Sequence, residues 1–545
     1  MTLKNRVRLI SSGLFFVTIL ADPIHLYDPI NIPKLTALTV ISAPVIYDLI
    51  WNLRIFNKRI KHKIIILILS FICWLLLTTL VSKMNLIDSL YGVSGRHTGL
   101  ITYIALSMCM LYVFYISGRE LNLSIIIVLL GTGYFSAIYG LLQIFNKDPF
   151  DWINPYSKVF GLFGNPNFHS SFMALSALGA VTIIVSKTGS NLIQFLSWTY
   201  IPIAIINIYY SKSLQGFLGL AAGLTLIIYF KVIQSKYHKF KPLYISLIAL
   251  GTIAVCLDIF QKSPWGPRLY KESVSFRGDF WRAGVNITEG NPLFGVGMDG
   301  YRDSYRQFRD VIATNRNYSV MVDSAHNIFL DISSGGGIPL VLIYLCIQLL
   351  VVISFLKLVK RAQNDMVING IFTCWVVYQL QSLISINQIG IAVWGWTLGG
   401  SIIGYEIQAR KSVEESPVLR NSLPSSKNYL ALFISMVVGI IITIPVWKAD
   451  ADFRNAFASG NVNRIVTVAT KWPQSATKMN LASSVLRQNG YEKEALMIAR
   501  KTVEINPYNF EAWQELSMFT SLTPPEKIKI GKTMKQLDPL NPTLP

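Results

Sequence analysis

The sequence predicts an all-α fold: a polytopic bundle of about 12–13 membrane-spanning helices with a small C-terminal helical-repeat domain outside the membrane. Two observations predict it. Hydrophobic residues make up 52% of the 545 residues and charged residues only 14%, whereas a soluble domain carries about 25% charged residues. The apolar residues also fall in long runs, and a spanning helix needs about 20 of them. This composition excludes a disordered chain, a basic nucleic-acid-binding domain and an ordinary cytosolic enzyme.

Thirteen apolar runs are candidate spans, at residues 9–24, 35–51, 64–82, 99–117, 123–145, 168–186, 192–209, 214–230, 242–260, 327–356, 366–386, 389–407 and 429–447. The first follows three basic residues, as a signal peptide would, but no small-residue cleavage site follows it, so a retained helix is expected. All five cysteines lie inside these runs without disulfide or zinc spacing. We therefore expect buried free thiols at Cys73, Cys109, Cys256, Cys346 and Cys374.

The net charge of +20 has a topological explanation. With the N-terminus in the cytoplasm, 19 lysines and arginines fall in short cytoplasmic segments, while the short outer loops are nearly balanced. This is the positive-inside pattern of multi-pass membrane proteins. An odd number of spans then places the C-terminus outside the cytoplasm.

The same pattern predicts the domain organisation. Residues 1–410 form a membrane domain with a large outer loop at 261–326, residues 411–428 a cytoplasmic linker, 429–447 an additional transmembrane helix, and 448–545 an outer tail. In the tail, Pro473 and Pro507 are 34 residues apart and Pro539 follows 32 later, with helical patterns between them. A helix–turn–helix period near 34 is typical of tetratricopeptide repeats; a small irregular helical domain is the alternative. Either suits binding of a partner protein.

The outer loop 261–326 is rich in arginine and aromatic residues, although its net charge is only +2. Four segments in and before it carry a family pattern: SGRHTGL at 94–100, FGNPNF at 163–168, FRGDFWRA at 276–283 with NPLFGVG at 291–297, and AHN at 325–327 with GGG at 335–337. Over residues 1–410 the chain thereby resembles the O-antigen ligase and polymerase superfamily of bacterial membrane glycosyltransferases. That superfamily includes lipid A-core O-antigen ligases, polymerases and protein O-oligosaccharyltransferases.

The resemblance implies transfer of a glycan from an undecaprenyl-pyrophosphate carrier to an acceptor hydroxyl, outside the cytoplasmic membrane and without a metal or cofactor. Arg277, and after it Arg96, would bind the pyrophosphate, because an arginine fork binds phosphate oxygens bidentately and keeps its proton. His326 would be the base, or would orient the acceptor, since a histidine titrates near neutral pH. Trp281 and Asn327 would support the site. Attack opposite the leaving group would invert the anomeric centre.

One turn departs from the family pattern, which often has an arginine between spans seven and eight. Residues 211–219 read SKSLQGFLG instead. Lys212 could supply the positive charge, but as a point cation rather than a fork. Gln215 could supply only a hydrogen bond. The number of cations on the pyrophosphate therefore stays open.

Several alternatives stay open. The residues do not separate ligase from polymerase or protein glycosylase, so the choice between a glycan, a lipid and a protein acceptor stays open. A transporter for lipid-linked glycans would need ionisable residues deep in the spans, and an envelope scaffold would use the tail to recruit a protein partner. A metal-dependent transferase could use Asp450 and Asp452, but residues two apart on a helix diverge by about 200°. We expect this pair to be the solvated start of the tail.

Overall fold

The computed structural model describes residues 1–52, 63–152, 159–233, 237–259, 272–361, 365–411 and 426–544. Within these ranges all regular structure is helical and no strand occurs, which confirms the all-α prediction. Most of the predicted linker 411–428, and residues 261–271 of the outer loop, lie outside the described residues.

The helices up to the tail are α1 (Leu3–Ile19), α2 (Asn31–Trp51), α3 (Lys63–Val81), α4 (Leu86–Tyr91), α5 (Leu100–Ile116), α6 (Arg119–Ile144), α7 (Pro166–Ser186), α8 (Asn191–Tyr210), α9 (Leu214–Ile228), α10 (Lys241–Ile259), α11 (Glu272–Gly290), α12 (Tyr301–Phe308), α13 (Val311–Arg316), α14 (Ile328–Lys360), α15 (Met366–Ser382), α16 (Ile389–Lys411) and α17 (Ser426–Ser459). Each of the thirteen predicted spans coincides with one of them. Helices α4, α11, α12 and α13 lie in the connections.

Eight helices in the described part of the chain are long and apolar enough to cross a membrane: α2, α3, α6, α7, α8, α9 with its π-helical continuation to Val232, α14 and α17. Several expose large apolar side chains on their outer surface, such as Leu80 on α3 and Phe433 on α17. An apolar exterior is stable in lipid and not in water. The protein is therefore a multi-pass membrane protein, and the count of thirteen spans stays a prediction.

Small residues let the membrane helices pack closely. A Cβ atom on Gly439 of α17 would lie 2.6 Å from the carbonyl oxygen of Thr39 on α2, and the Thr39 hydroxyl donates to the Gly439 carbonyl at 2.9 Å. A Cβ atom on Gly400 of α16 would lie 2.3 Å from the carbonyl oxygen of Met110 on α5. Such close approach is the usual basis of helix association in membranes, where no hydrophobic effect drives it. The contact between Gly439 and Thr39 packs α17 against α2, so this helix is part of the bundle even though the predicted linker separates it from α16 in the sequence.

The tail is a stack of five helices: α18 (Val462–Thr470), α19 (Ala476–Gln488), α20 (Glu492–Ile505), α21 (Phe510–Ser517) and α22 (Pro524–Leu537). Its core includes Met479, Ile498 and Phe510. Helices α19 and α21 begin 34 residues apart, which is the period that the prolines predicted. The assignment to the tetratricopeptide class stays a prediction.

The tail, the outer loop and the α1–α2 connection lie at the same end of the bundle. Asn506 of the tail donates to Asp303 of α12 at 2.7 Å, and Arg454 of α17 donates to the carbonyl of Pro23 at 2.6 Å. This agrees with the predicted topology, in which these segments face the same side.

Two expectations were wrong. Asp450 is not solvated: it is fully buried, pairs with Lys478 at 2.5 Å and accepts a hydrogen bond from the backbone N–H of Asp28. It therefore joins the tail to the α1–α2 connection.

The thiols are also not all buried. Cys109 and Cys374 are, but Cys73 and Cys346 are exposed on the outside of the bundle. The side chain of Cys256 lies outside the described residues.

Candidate functional site

Glycines hold the outer loop against α14. The turn at Gly295 and Gly297, both with positive φ (64° and 100°), donates backbone hydrogen bonds from Val296 to Ser334 and from Gly297 to Gly335. Gly337 interrupts α14 with φ 77°, and a Cβ atom there would lie 2.1 Å from the carbonyl oxygen of Leu293. The Gly-x-Gly pair thus forms a turn, and Gly337 both breaks α14 and permits close backbone contact.

Asp299 attaches the loop that carries Arg96 to the outer loop. Its carboxylate accepts hydrogen bonds from the backbone N–H groups of Val93 (3.2 Å) and Thr98 (3.0 Å), and from the Thr98 hydroxyl. Residues 93–98 follow α4, about 200 positions before Asp299 in the sequence. This carboxylate therefore joins the motif segment 94–100 to the residues that directly follow the segment 291–297.

Arg96 is buried, with 6% of its surface exposed, and lies beside the segment that precedes α14. Its Nη1 donates to the carbonyl oxygen of Asp323 at 3.2 Å and lies 3.8 Å from the Asp323 carboxylate. Burial alone would lower the pKa of Arg96, but the carboxylates of Asp323, Asp299 and Asp331 outweigh it and raise that pKa. Within the described residues the Nε atom is buried without a hydrogen-bond partner. Part of the Arg96 guanidinium is thus available to bind a ligand.

His326 lies in a turn between Ser324 and the start of α14, in the left-handed region at φ 52°. A non-glycine residue there is uncommon and is held by its neighbours. The backbone N–H of His326 donates to the Ser324 hydroxyl at 3.1 Å, and that of Ala325 to Asp331 at 2.8 Å. The half-buried imidazole lies against Phe280, with ring centroids 5.6 Å apart. Its nitrogens make no hydrogen bond in the described part of the chain.

The environment of His326 keeps its imidazole neutral. Burial is the main cause that lowers its pKa to about 4; the Asp323 carboxylate opposes the shift, and the positive charges of Arg277 and Arg96 reinforce it. The three predicted residues Arg96, Arg277 and His326 are therefore close enough to interact electrostatically.

Helix α11, in the outer loop, carries Arg277 and, one turn later, Phe280 and Trp281. Arg277 is half-buried, its pKa is lowered by burial, and it has no hydrogen bond or ion pair within the described residues. By contrast, Arg282 and Arg316 both pair with Asp279 at 2.6 Å. The indole N–H of Trp281 is buried without a described partner. Arg277 is thus the arginine of α11 left for a ligand.

A small polar cavity lies behind Arg96, with space for roughly one water molecule (about 10 Å³). Its walls include Tyr103, Asp331 and Asn387. Tyr103 accepts a hydrogen bond from the Asn387 amide at 3.1 Å, while one oxygen each of Asp331 and Asn387 is buried without a partner among the described residues. Unpaired buried polar atoms are costly, so this cavity suits a bound water or a polar group of a ligand.

The turn that carries Lys212 reaches the same end of the bundle but does not line this cavity. The hydroxyl of Ser213 donates to Asn167 at 2.7 Å, and Ser171 donates to Gln215 at 3.5 Å. Gln215 is buried and Lys212 exposed. The structure therefore brings together Arg96, Arg277 and His326, and places Lys212 and Gln215 beside the start of α7 instead.

Asn327 is committed to α14. Its side chain accepts hydrogen bonds from the backbone N–H groups of Phe329 (3.0 Å) and Leu330 (3.3 Å), so it caps the helix. Any support that it gives to the site acts through the turn of His326.

Sequence reasoning missed several residues around Arg96 and His326. Asp323 was within the segment that opens α14, and its acidic side chain so close to a candidate base was a usable signal. Asp299, Asp331 and Asn387 had no local signal, because their partners lie far away in sequence.

Two comparisons with known proteins bear on identity. The family model described as O-Antigen ligase matches residues 200–345. That range includes Lys212, Arg277 and His326, whereas Arg96 precedes it. No curated protein matches the chain. The matched segment and the described helical bundle agree with the motif resemblance, so residues 200–345 carry an O-antigen ligase domain, which supports the O-antigen ligase/polymerase superfamily.

Proposed function

We propose that this protein transfers a glycan from an undecaprenyl-pyrophosphate carrier to an acceptor hydroxyl at the outer face of the bacterial cytoplasmic membrane. The observation that carries the proposal is the neutral imidazole of His326, which has no described hydrogen bond and lies close to Arg96 and Arg277. Base and cations are the two functions that this reaction needs.

The cations act on the leaving group. As the bond between the anomeric carbon and the pyrophosphate oxygen breaks, the bonding electrons stay on that oxygen and negative charge grows there. Arg277, which has no described partner, and the uncommitted nitrogens of Arg96 would stabilise this charge. Both arginines stay protonated at any physiological pH.

The base acts on the acceptor. The acceptor oxygen forms a bond to the anomeric carbon from the side opposite the pyrophosphate, and its proton passes to His326, so that the anomeric configuration inverts. A pKa of about 4 keeps the imidazole unprotonated and able to accept at neutral pH. The Asp323 carboxylate favours the imidazolium that then forms.

The domain assignment belongs to the same proposal. Residues 1–410 are the catalytic membrane domain, 429–447 an additional span, and 448–545 an extracytoplasmic tail that binds the acceptor or an envelope protein. Contacts such as that between Asn506 and Asp303 support a tail on the side of the outer loop.

A transfer assay tests the function. Purified protein receives an undecaprenyl-pyrophosphate-linked glycan and candidate glycan, lipid and protein acceptors, beside the variants His326→Ala and Arg277→Ala. His25→Ala is the matched control, because within the described residues this exposed histidine pairs only with Asp22. We expect transfer by the wild type and the control, and loss in both site variants. Full activity in both variants would contradict the assignment, and the labelled acceptor separates ligase, polymerase and protein glycosylase.

A further inference from the structure

The tail is joined to the outer loop by a buried cluster of charges. Asp538, at the end of α22, is fully buried and accepts hydrogen bonds from Arg309 at 2.7 and 2.8 Å and from Arg306 at 2.8 Å. Both arginines belong to the region of α12, and both are almost completely buried. Removing one partner from such a cluster leaves a buried charge uncompensated, which is strongly destabilising. The contact between Asp538 and the two arginines is therefore hard to break.

The same two arginines hold the segment 317–327, which carries His326. Arg306 donates to the carbonyl oxygens of Tyr318 (3.1 Å) and Ser319 (2.7 Å), and its Nε contacts the sulfur of Met321. Arg309 donates to the Tyr318 carbonyl at 2.8 Å. Each guanidinium therefore bonds the tail on one side and this segment on the other.

The segment needs such support because it has no helix of its own. It joins α13 to α14 through turns and bends, and it contains both Asp323 and the strained turn of His326. Its N-terminal half is held by Arg306 and Arg309. Its C-terminal half is held by the contacts of Arg96 with Asp323 and of Ala325 with Asp331.

We propose that Asp538 is a positioning residue for the transfer reaction. Acting through Arg306 and Arg309, it orients the segment that places His326 beside Arg96 and Arg277. The tail is then part of the machinery that shapes the site, in addition to any partner that it binds. This inference rests on the proposed function of His326.

The matched control is a second carboxylate at the same interface. Glu511 of α21 pairs with Arg302 of α12, and no described hydrogen bond joins Arg302 to the segment 317–327. Glu511→Gln therefore weakens the contact between tail and loop without touching the support of the segment. Asp538→Asn weakens both.

Arg309→Lys separates positioning from folding. A lysine retains a positive charge for Asp538, but it lacks the fork that reaches the Tyr318 carbonyl at the same time. The experiment measures kcat and KM for the lipid-linked donor, together with hydrogen exchange of the backbone amides of residues 318–327, for the full chain in each variant. Thermal unfolding shows whether each variant folds.

We expect Asp538→Asn and Arg309→Lys to lower kcat at least about tenfold, since a small misplacement of a catalytic group is costly, with KM for the donor little changed. Exchange of the segment should become faster in both, while Glu511→Gln leaves kcat and exchange as in the wild type. Wild-type kcat and exchange in both folded variants would overturn the inference, as would equal losses in Glu511→Gln. If the wild type itself shows no transfer, the proposed function fails, whereas hydrogen exchange still tests the support of the segment.

Discussion

The imidazole of His326 lies against the aromatic ring of Phe280, with ring centroids 5.6 Å apart. This contact joins the start of α14 to α11, and so brings two motifs that are separated by more than 40 residues into one site. Phe280 also covers one face of the imidazole. Burial, the main cause of the lowered pKa of His326, thus has an identifiable source.

The pH dependence of transfer follows from this contact. Because the pKa of His326 is lowered to about 4, the imidazole stays unprotonated down to that pH. We expect kcat/KM to be level from neutral pH through about 6.5, the ordinary value for histidine, and to fall only as the pH approaches about 4. In Phe280→Ala the imidazole is more exposed, so the acidic limb should move upward toward about 6.5.

A pH series of initial rates with saturating acceptor measures the acidic limb of the wild type and that of Phe280→Ala. Circular dichroism at each pH shows that the protein stays folded. An acidic limb near 6.5 in the wild type, or no movement in Phe280→Ala, would contradict the assignment of the limb to His326.

Arg277 should matter for the donor more than for the acceptor. Arg277→Ala removes a cation that has no described partner in the protein, so the fold should be little affected. We expect kcat/KM for the lipid-linked donor to fall by about tenfold or more, and Arg277→Lys to recover only part of it, because a point cation replaces a bidentate fork. Arg464→Ala, at an exposed position of the tail, is the control. Equal effects on donor and acceptor kinetics would argue against the role on the pyrophosphate.

Helix positions were predictable because the signal is local. The apolar run at 64–82 became α3, Lys63–Val81, since length and hydropathy alone decide whether a segment can span a membrane. The exposure of Cys73 was not predictable in the same way. Lipid is as apolar as a protein core, so composition does not tell which side of a spanning helix faces the bundle.

The site was only partly predictable. Arg96, Arg277 and His326 could be chosen because each lies in a short motif whose own residues are only a few positions apart. Asp299 could not, because its partners at Val93 and Thr98 are brought to it only by the packing of the outer loop on the bundle. The burial of Asp450 likewise depends on Lys478 in the folded tail.

Transfer should not depend on a divalent ion. In the proposed reaction, the fixed charges of Arg96 and Arg277 stabilise the leaving pyrophosphate. We expect the same rate before and after incubation with a chelator of divalent cations, with a metal-dependent glycosyltransferase treated in parallel as the control. A rate that disappears with the chelator and returns with added Mg²⁺ would show that the arginines are not sufficient.

Gly337→Ala should disrupt the packing of α14 against the outer loop. The new Cβ would lie 2.1 Å from the Leu293 carbonyl oxygen, at a φ of 77° that alanine rarely adopts. Backbone strain of this kind costs about 1–3 kcal/mol before the clash is added. We expect a lower Tm in detergent. We also expect loss of transfer, because the segment 317–327, which carries His326, moves with α14.

The control for this strain is Gly131→Ala on α6, where a Cβ atom would meet nothing within 4 Å. Alanine is also the better helix former, by about 1 kcal/mol, so Gly131→Ala should leave the Tm unchanged or raise it. The two variants add the same methyl group, one to an open helix surface and one to a backbone contact. An equal Tm in both would mean that α14 and the outer loop do not approach at Gly337.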